Sequence, residues 1–183
     1  MTILVVLLVV AVLGAVATMS LRARLSASGG RVDFAGARIE ALLSRRAESV
    51  PDLIEVIEAH RAGEDEILRG LTRARHALVA ARTPHEVAGA DNQLSGALAS
   101  ALALAGANAT VLAEGSFQNA RDTVEATEPE LVEARHAYND AVNAHNALVT
   151  SPPTSLLAGP LGFIEQDYFE VGGGAHGPLD VQF

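Results

Sequence analysis

The stretch ARHAYNDAVNAHN, residues 134–146, decides the fold because it contains a seven-residue repeat. The pair Tyr138-Asn139 returns as His145-Asn146. Seven residues make two turns of an α-helix, so both pairs lie on one face. A ring at the first position of each pair fits a buried stripe, whereas the asparagine lies at its edge and needs a polar partner. The stretch therefore predicts a long amphipathic helix with a polar row along one edge.

The seven-residue spacing extends toward the N-terminus of this helix. The positions that share it are Phe117, Val124, Leu131, Tyr138 and His145. We expect the helix to begin near Ser116 and to end at about Thr150, because Pro152-Pro153 cannot continue it. Pro129 falls on the opposite side, where a bend facing solvent is tolerated.

A second periodic segment lies earlier in the chain. Positions at alternating intervals of four and three from Ile39 to Ala81 are mostly apolar, with Arg46, His60 and Glu64 as the polar exceptions. This spacing predicts one long helix with left-handed supercoiling. Pro51 lies off the stripe and predicts either a kink or the start of a new helix. A break near Gly63 would divide this helix into two.

The segment Thr83-Pro84-His85-Glu86 is a helix start signal between these two segments. Threonine suits the N-cap, proline the first helical position, and glutamate completes a capping box. We expect this helix to end near Gly106. The fold class predicted is all-α: an up-and-down bundle of three long helices, or four if the first is split near Gly63.

The N-terminus is an apolar run from Thr2 to Leu21 that contains no charge. At 1.5 Å per residue it spans about 30 Å, the thickness of a bilayer core. We interpret residues 1–21 as a single-pass transmembrane anchor. The alternative is a signal peptide cleaved at Ala15-Val16-Ala17, but a basic n-region is missing and the run is longer than usual.

Arginines follow the apolar run closely, at positions 22, 24 and 31. The positive-inside rule then leaves the N-terminus outside the cell membrane and the helical domain in the cytoplasm. Residues 22–30 are predicted to be a linker, residues 31–171 the helical bundle with a C-terminal strap, and residues 172–183 a flexible glycine-rich tail.

Composition excludes several classes of function. The net charge is −9, which argues against nucleic-acid binding, and the chain has no cysteine for disulfides or thiolate chemistry. Glu133 and His136 have the spacing of a di-metal bundle motif. They point away from the apolar stripe, however, and no second copy exists. We therefore expect neither an enzyme nor a cofactor.

Polar residues at or beside the apolar stripes are the candidate site. The second predicted helix contributes two adjacent polar residues, Asp91 and Asn92, to the polar residues that face the other helices. The set predicted to form an interhelical polar network is Arg46, His60, Glu64, Asn92, Glu128, Arg135, Asn139 and Asn146. The favoured interpretation is a hydrogen-bond network that fixes helix register. The alternative is a small-ligand or metal site, for which His60 and Glu64 share a face and would supply part of a zinc site.

Five motifs give the chain a resemblance to the LemA family. They are RRAESVPDLIEVIEAH (45–60), ADNQLSGAL (90–98), TEPELVEARHAYNDAVNAHN (127–146), GF (162–163) and YFE (168–170). The chain departs from the family pattern at Gly36, where a tryptophan is usual, and at His145, where a tyrosine is usual. The resemblance implies a bacterial membrane-anchored helical bundle without an agreed biochemical activity.

The segment 155–171 is apolar but interrupted by Gly159, Pro160 and Gly162. It is predicted to be a strap that folds back over the bundle through Phe163 and Tyr168-Phe169, or else a recognition tail or membrane-touching segment. The function predicted for the whole chain is a membrane-anchored scaffold or protein-interaction module. Its expected partners are the membrane and other membrane or envelope proteins, with no nucleic acid and no small-molecule substrate.

Overall fold

The computed structural model describes residues 1–59 and 65–169, and these residues form helices without any strand. The helices are α1 (Thr2–Glu48), α2 (Val50–Ala59), α3 (Asp65–Ala80), α4 (Pro84–Gly106), α5 (Ala109–Leu112), α6 (Gly115–Thr150) and α7 (Ser155–Ala158). The predicted all-α class is confirmed. Helix α6 begins one residue before the predicted start and ends at the predicted residue. The short helices α5 and α7 carry no periodicity long enough to predict.

Helix α1 contains the whole apolar run, and near the N-terminus it includes a window of mean hydropathy 2.8 with no buried residue. Its length and composition suffice to cross a membrane. The predicted linker, residues 22–30, is wrong as secondary structure because these residues are helical and continue α1. Leu25 and Ser28 are buried there. Tertiary packing therefore maintains the helix through Gly29-Gly30, against the low helix propensity of glycine.

The chain forms two compact units. The first consists of Met1–Ala41 and Glu130–Tyr168, and the second of Leu42–Pro129 with Phe169 as its last described residue. Helices α1 and α6 each supply residues to both units.

In the first unit, α6 runs antiparallel to α1. Ser28 Oγ lies 2.9 Å from His145 Nδ1. Farther along α1, a Cβ at Gly36 would lie 3.6 Å from the Tyr138 ring. As the residue number rises along α1, the number of the contacting residue on α6 falls. The stripe predicted on α6 therefore faces α1 through Tyr138 and His145, which are both buried.

In the second unit, the predicted single helix from Ile39 to Ala81 is wrong. Arg75 Nε donates to the Ala47 carbonyl oxygen over 3.1 Å. In one continuous helix these two residues would lie about 42 Å apart. Helix α3 therefore runs back along the chain that precedes it, as the four-helix alternative requires. The predicted break near Gly63 itself falls outside the described residues. Of the two outcomes predicted at Pro51, a kink or the start of a new helix, the second is observed: α1 ends at Glu48 and α2 begins at Val50.

The apolar stripe predicted in this segment nevertheless forms the core of the second unit. Its fully buried members include Val50, Leu53, Ile57 and Leu71, which pack with Leu94, Leu98 and Phe117. A hairpin of helices can bury the same periodic positions as a continuous helix. The spacing predicted which residues are buried, and it did not determine where the chain reverses.

Helix α4 begins as the start signal predicts. Glu86 N–H donates to Thr83 Oγ1 over 3.2 Å, and Thr83 N–H donates back to Glu86 Oε2 over 3.1 Å. Arg82 N–H donates to the same carboxylate oxygen over 2.8 Å. The backbone hydrogen bonds from Arg82 and then from Thr83 lower the pKa of Glu86 below its ordinary value, because they stabilise the charged carboxylate. The helix start is therefore fixed by local contacts alone.

Candidate functional site

The second unit contains a buried arginine that joins three helices. Arg46 on α1 is 1% exposed. Its Nη1 lies 3.4 Å from Asp91 Oδ1 and 3.1 Å from Ser95 Oγ, both on α4. Its Nη2 lies 3.1 Å from Glu128 Oε2 on α6. One guanidinium thus holds two carboxylates from two different helices.

The two carboxylates differ in their exposure to solvent. The Asp91 side chain is completely buried, whereas the Glu128 side chain is 49% exposed. Removal of one partner from a buried ion pair leaves an uncompensated charge and is strongly destabilising. A half-exposed partner is screened by water and contributes much less. Of the two ion pairs of Arg46, the pair with Asp91 is therefore the stronger. Arg46 Nε makes no hydrogen bond to any described residue.

The predicted polar network is only partly brought together here. Arg46 and Glu128 are in direct contact. Asn92 is exposed, and its neighbour Asp91 occupies the buried position instead. The choice of Asn92 was wrong because adjacent residues on a helix point about 100° apart, and only Asp91 faces Arg46. His60 and Glu64 lie outside the described residues.

The other predicted members lie on α6 in the first unit. Arg135 and Asn139 are half-buried, and neither is without a partner. Asn146 is half-buried as well, and it contacts the extended segment that follows α7. We define the strap as residues 163–168, which leave the helical conformation after Gly162.

Asn146 binds both backbone groups of one strap residue. Its Nδ2 donates to the Gln166 carbonyl oxygen over 2.9 Å, and its Oδ1 accepts from Gln166 N–H over 2.8 Å. A side-chain amide offers one donor and one acceptor in the same plane, as a neighbouring β-strand does. This is the partner that the asparagine at the edge of the stripe needs.

The two rings of the repeat also bind the strap. His145 Nε2 lies 3.0 Å from the Ile164 carbonyl oxygen and, since a carbonyl oxygen only accepts, donates to it. Tyr138 Oη donates to the Asp167 carbonyl oxygen over 3.1 Å. Burial, and to a smaller extent the charges of Asp167 and Asp33, raise the pKa of the Tyr138 phenol above its ordinary value of 10.0. The repeat that predicts the helix is thus also the row that holds the strap.

Within the first unit the strap contacts α6 mainly through polar groups, whereas the prediction relied on the aromatic side chains of Phe163 and Tyr168-Phe169. Phe163 is half-buried and Tyr168 is 37% exposed, while Phe169 is buried in the second unit. Sequence reasoning missed Ser28 and Gln166 as partners. Ser28 lay in the predicted linker, and Gln166 participates through backbone atoms, which leave no signal in the residue type.

The metal and ligand alternative has little geometric support among the described residues. They contain no group of three or more histidine, aspartate or glutamate side chains arranged to hold a metal ion. An open groove of about 430 Å³ in the second unit is lined by Asp52, Glu55, Val56, Ala59, Glu114 and Ser116. No described member of the predicted polar network lines this groove. The described members of the predicted network and the groove are therefore separate features.

These features define a class: an all-α protein in which a helix long and apolar enough to cross a membrane continues into a folded region stabilised by internal polar contacts. Residues 35–183 match the model of the LemA family, so the chain belongs to the LemA family. A comparison with curated proteins finds no match. The resemblance predicted from the five motifs is confirmed.

Proposed function

We propose that this protein is a membrane-anchored helical scaffold of the bacterial envelope that binds other membrane or envelope proteins and catalyses no reaction. The observation that carries the proposal is the continuity of α1 from Thr2 to Glu48. A helix transmits position along its axis, whereas a flexible linker does not. The folded part of the first unit is therefore held at a fixed place relative to the anchor, as a scaffold requires.

Among the residues that the structure describes, several polar side chains that would be candidates for catalysis are engaged within the chain. Arg46 contacts Asp91, Ser95 and Glu128. His145 and Asn146 contact the backbone of the strap. Catalytic groups normally face a cleft in which a substrate fits. Groups that satisfy one another in a helix interface fit a structural role instead.

The proposed orientation places the folded region in the cytoplasm. Arg22, Arg24 and Arg31 follow the apolar run, and all three are exposed. An excess of arginine directly after a transmembrane helix favours the cytoplasmic side. A reporter that is active only in the periplasm, fused after Phe183, tests this orientation. Activity of that reporter would show that the folded region faces the periplasm instead.

Proximity labelling of the full-length protein tests the scaffold proposal. A biotin ligase fused after Phe183 is expressed in cells of the source species. The matched control carries the same fusion on a variant in which residues 1–21 are replaced by an unrelated single-pass helix. We expect a reproducible set of envelope proteins around both, because the folded region determines the partners. Labelling no richer than that of a membrane-tethered ligase alone would refute the scaffold role.

Membrane attachment is tested separately by alkaline extraction. The protein should stay in the membrane pellet, and mass spectrometry should find Thr2–Leu21 still attached. Release into the soluble fraction with a new N-terminus at Thr18 would show that the apolar run is a signal peptide instead.

A further inference from the structure

The place where the folded first unit meets the apolar run is visible in the burial pattern of α1. Residues 1–20 are exposed without exception. Leu21, the last residue of the uncharged run, is half-buried, and Leu25 is completely buried. Packing of the first unit therefore begins at the residue where the apolar run ends, and no spacer separates them.

The C-terminal end of α6 returns to this same level. His145 is paired with Ser28, and the two helices are antiparallel. Thr150, the last residue of α6, lies five residues farther on, which is about 7.5 Å along the helix axis. That distance brings it level with about residue 23 of α1. The chain that follows Thr150 therefore turns beside the end of the apolar run.

We define the turn segment as residues 151–162, which include α7. It lies within a stretch, residues 147–164, that contains no charged side chain. Thr154 and Ala158 are 6% and 1% exposed, so one side of the segment packs inward. Leu156 is 75% exposed and points away from that packing. An uncharged segment thus presents a large apolar side chain at the level where α1 becomes apolar.

The charged residues nearest to the turn segment are basic at the level of the membrane surface and acidic only farther away from it. Arg22 and Arg24 are exposed at the same level, where long basic side chains can reach lipid phosphates. The first acidic residue after the turn segment is Glu165. Its neighbour Ile164 binds His145, which is level with Ser28, about 10 Å farther along α1 than Leu21. The acidic part of the strap therefore begins away from the surface.

We propose that the turn segment is a membrane-contact site and that it inserts Leu156 into the interfacial region of the bilayer that α1 crosses. This inference depends on the proposed membrane anchor and adds a second point of contact to it. The partner is the lipid surface itself. Two contacts, one on α1 and one on the turn after α6, fix the rotation of the first unit about α1, which a single helix cannot do.

Tryptophan fluorescence of the full-length protein tests this proposal, because the natural chain has no tryptophan. Three single variants are reconstituted into vesicles of phosphatidylcholine and phosphatidylglycerol: Leu156→Trp, Leu13→Trp within the apolar run, and Phe34→Trp. Phe34 is the matched control because it is 78% exposed and lies on α1 about 20 Å beyond Leu21. Each variant is measured with lipids brominated near the headgroup end of the acyl chain and with lipids brominated near its methyl end.

We expect Leu156→Trp to be quenched several-fold more than Phe34→Trp, with the shallow bromines more effective than the deep ones. Leu13→Trp should be quenched more by the deep bromines. If Leu13→Trp is quenched and Leu156→Trp matches Phe34→Trp, the contact site is refuted while the anchor stands. If Leu13→Trp is not quenched, the anchor itself fails.

The alternative to lipid contact is that the Leu156 side chain is buried against a second copy of the chain. In that case the Leu156→Trp emission would shift to the blue without lipid quenching and would depend on protein concentration, and this result also overturns the proposal. If Leu156→Trp fails to fold, Leu156→Cys labelled with an environment-sensitive dye gives the same comparison, because the chain has no other thiol.

Discussion

The buried pair of Arg46 and Asp91 gives the sharpest prediction about stability. Replacement of Arg46 by methionine keeps most of the side-chain volume and removes the charge. The completely buried carboxylate of Asp91 then loses its ion pair with the Arg46 guanidinium. Two unit charges 3.4 Å apart interact by about 5 kcal/mol at an effective dielectric constant of 20. Broken buried pairs lose about 3–5 kcal/mol, so we expect Arg46→Met to lower the free energy of unfolding by that amount.

Two further variants separate charge from packing. Glu128→Gln removes the half-exposed carboxylate and should cost about 1 kcal/mol or less, because water already screens that contact. The double variant Arg46→Met/Asp91→Leu removes both buried charges together. It should recover most of the loss seen in Arg46→Met, since apolar replacements of a buried pair are often neutral or stabilising.

Urea unfolding of the full-length protein in detergent, followed by far-UV circular dichroism, measures these differences. The expected order of stability is parent, then Glu128→Gln, then the double variant, then Arg46→Met. A loss below about 1 kcal/mol in Arg46→Met, or a double variant no more stable than Arg46→Met, would show that the pair is not the dominant contact.

Three further predictions concern single contacts. Asn146→Ala removes both hydrogen bonds to Gln166 and should cost about 1–2 kcal/mol, with faster limited proteolysis of the strap than in a control variant, Asn119→Ala, at an exposed position of α6 that does not contact the strap; equal proteolysis would contradict this role. Because the pKa of Tyr138 is raised in the folded state, the unfolded chain loses the phenolic proton first, and the free energy of unfolding should fall as pH rises above about 10. Tyr138→Phe should reduce this alkaline loss of stability, as measured by thermal unfolding at a series of pH values. Thr83→Ala removes the N-cap of α4 and should cost about 1 kcal/mol in thermal unfolding, whereas Thr83→Ser should stay near the parent.

Local features of the fold were predictable from the sequence because their partners are close in the chain. The capping box joins Thr83 to Glu86, three residues away, and the pattern of residue types specifies it. The stripe on α6 likewise predicted that Leu131, Tyr138 and His145 are buried. Neither inference needs to know how distant segments meet.

The reversal between α2 and α3 was not predictable in the same way. Leu53 and Leu71 are both fully buried, and a seven-residue period places them in a stripe whether the chain is one helix or a hairpin. The contact that distinguishes a hairpin from one continuous helix is the hydrogen bond from Arg75 to the backbone carbonyl oxygen of Ala47. Because every residue has a carbonyl oxygen, the sequence does not indicate which one Arg75 binds. Periodicity therefore predicted the core and left the topology between two alternatives.

The candidate site was predicted in part for a related reason. Arg46 was recognisable as a polar residue within an apolar stripe, and Glu128 as a polar residue at the edge of another. The choice between Asp91 and Asn92 required the rotation of α4 to within one residue, which its many alanines do not define. The rotation of α4 is determined by its packing against the other helices, and the sequence alone does not specify that packing.

The way in which α6 holds the strap affects how this protein can change over evolutionary time. Tyr138, His145 and Asn146 all bind main-chain atoms of the strap, and residues 164–167 direct their side chains to solvent. Almost any residue supplies the same main chain, so this segment can diverge freely while it keeps its position. Proline at 166 is the exception, because it lacks the N–H that Asn146 accepts. Selection at this contact therefore acts on α6, and comparison of strap sequences alone would mistake a fixed element for a variable loop.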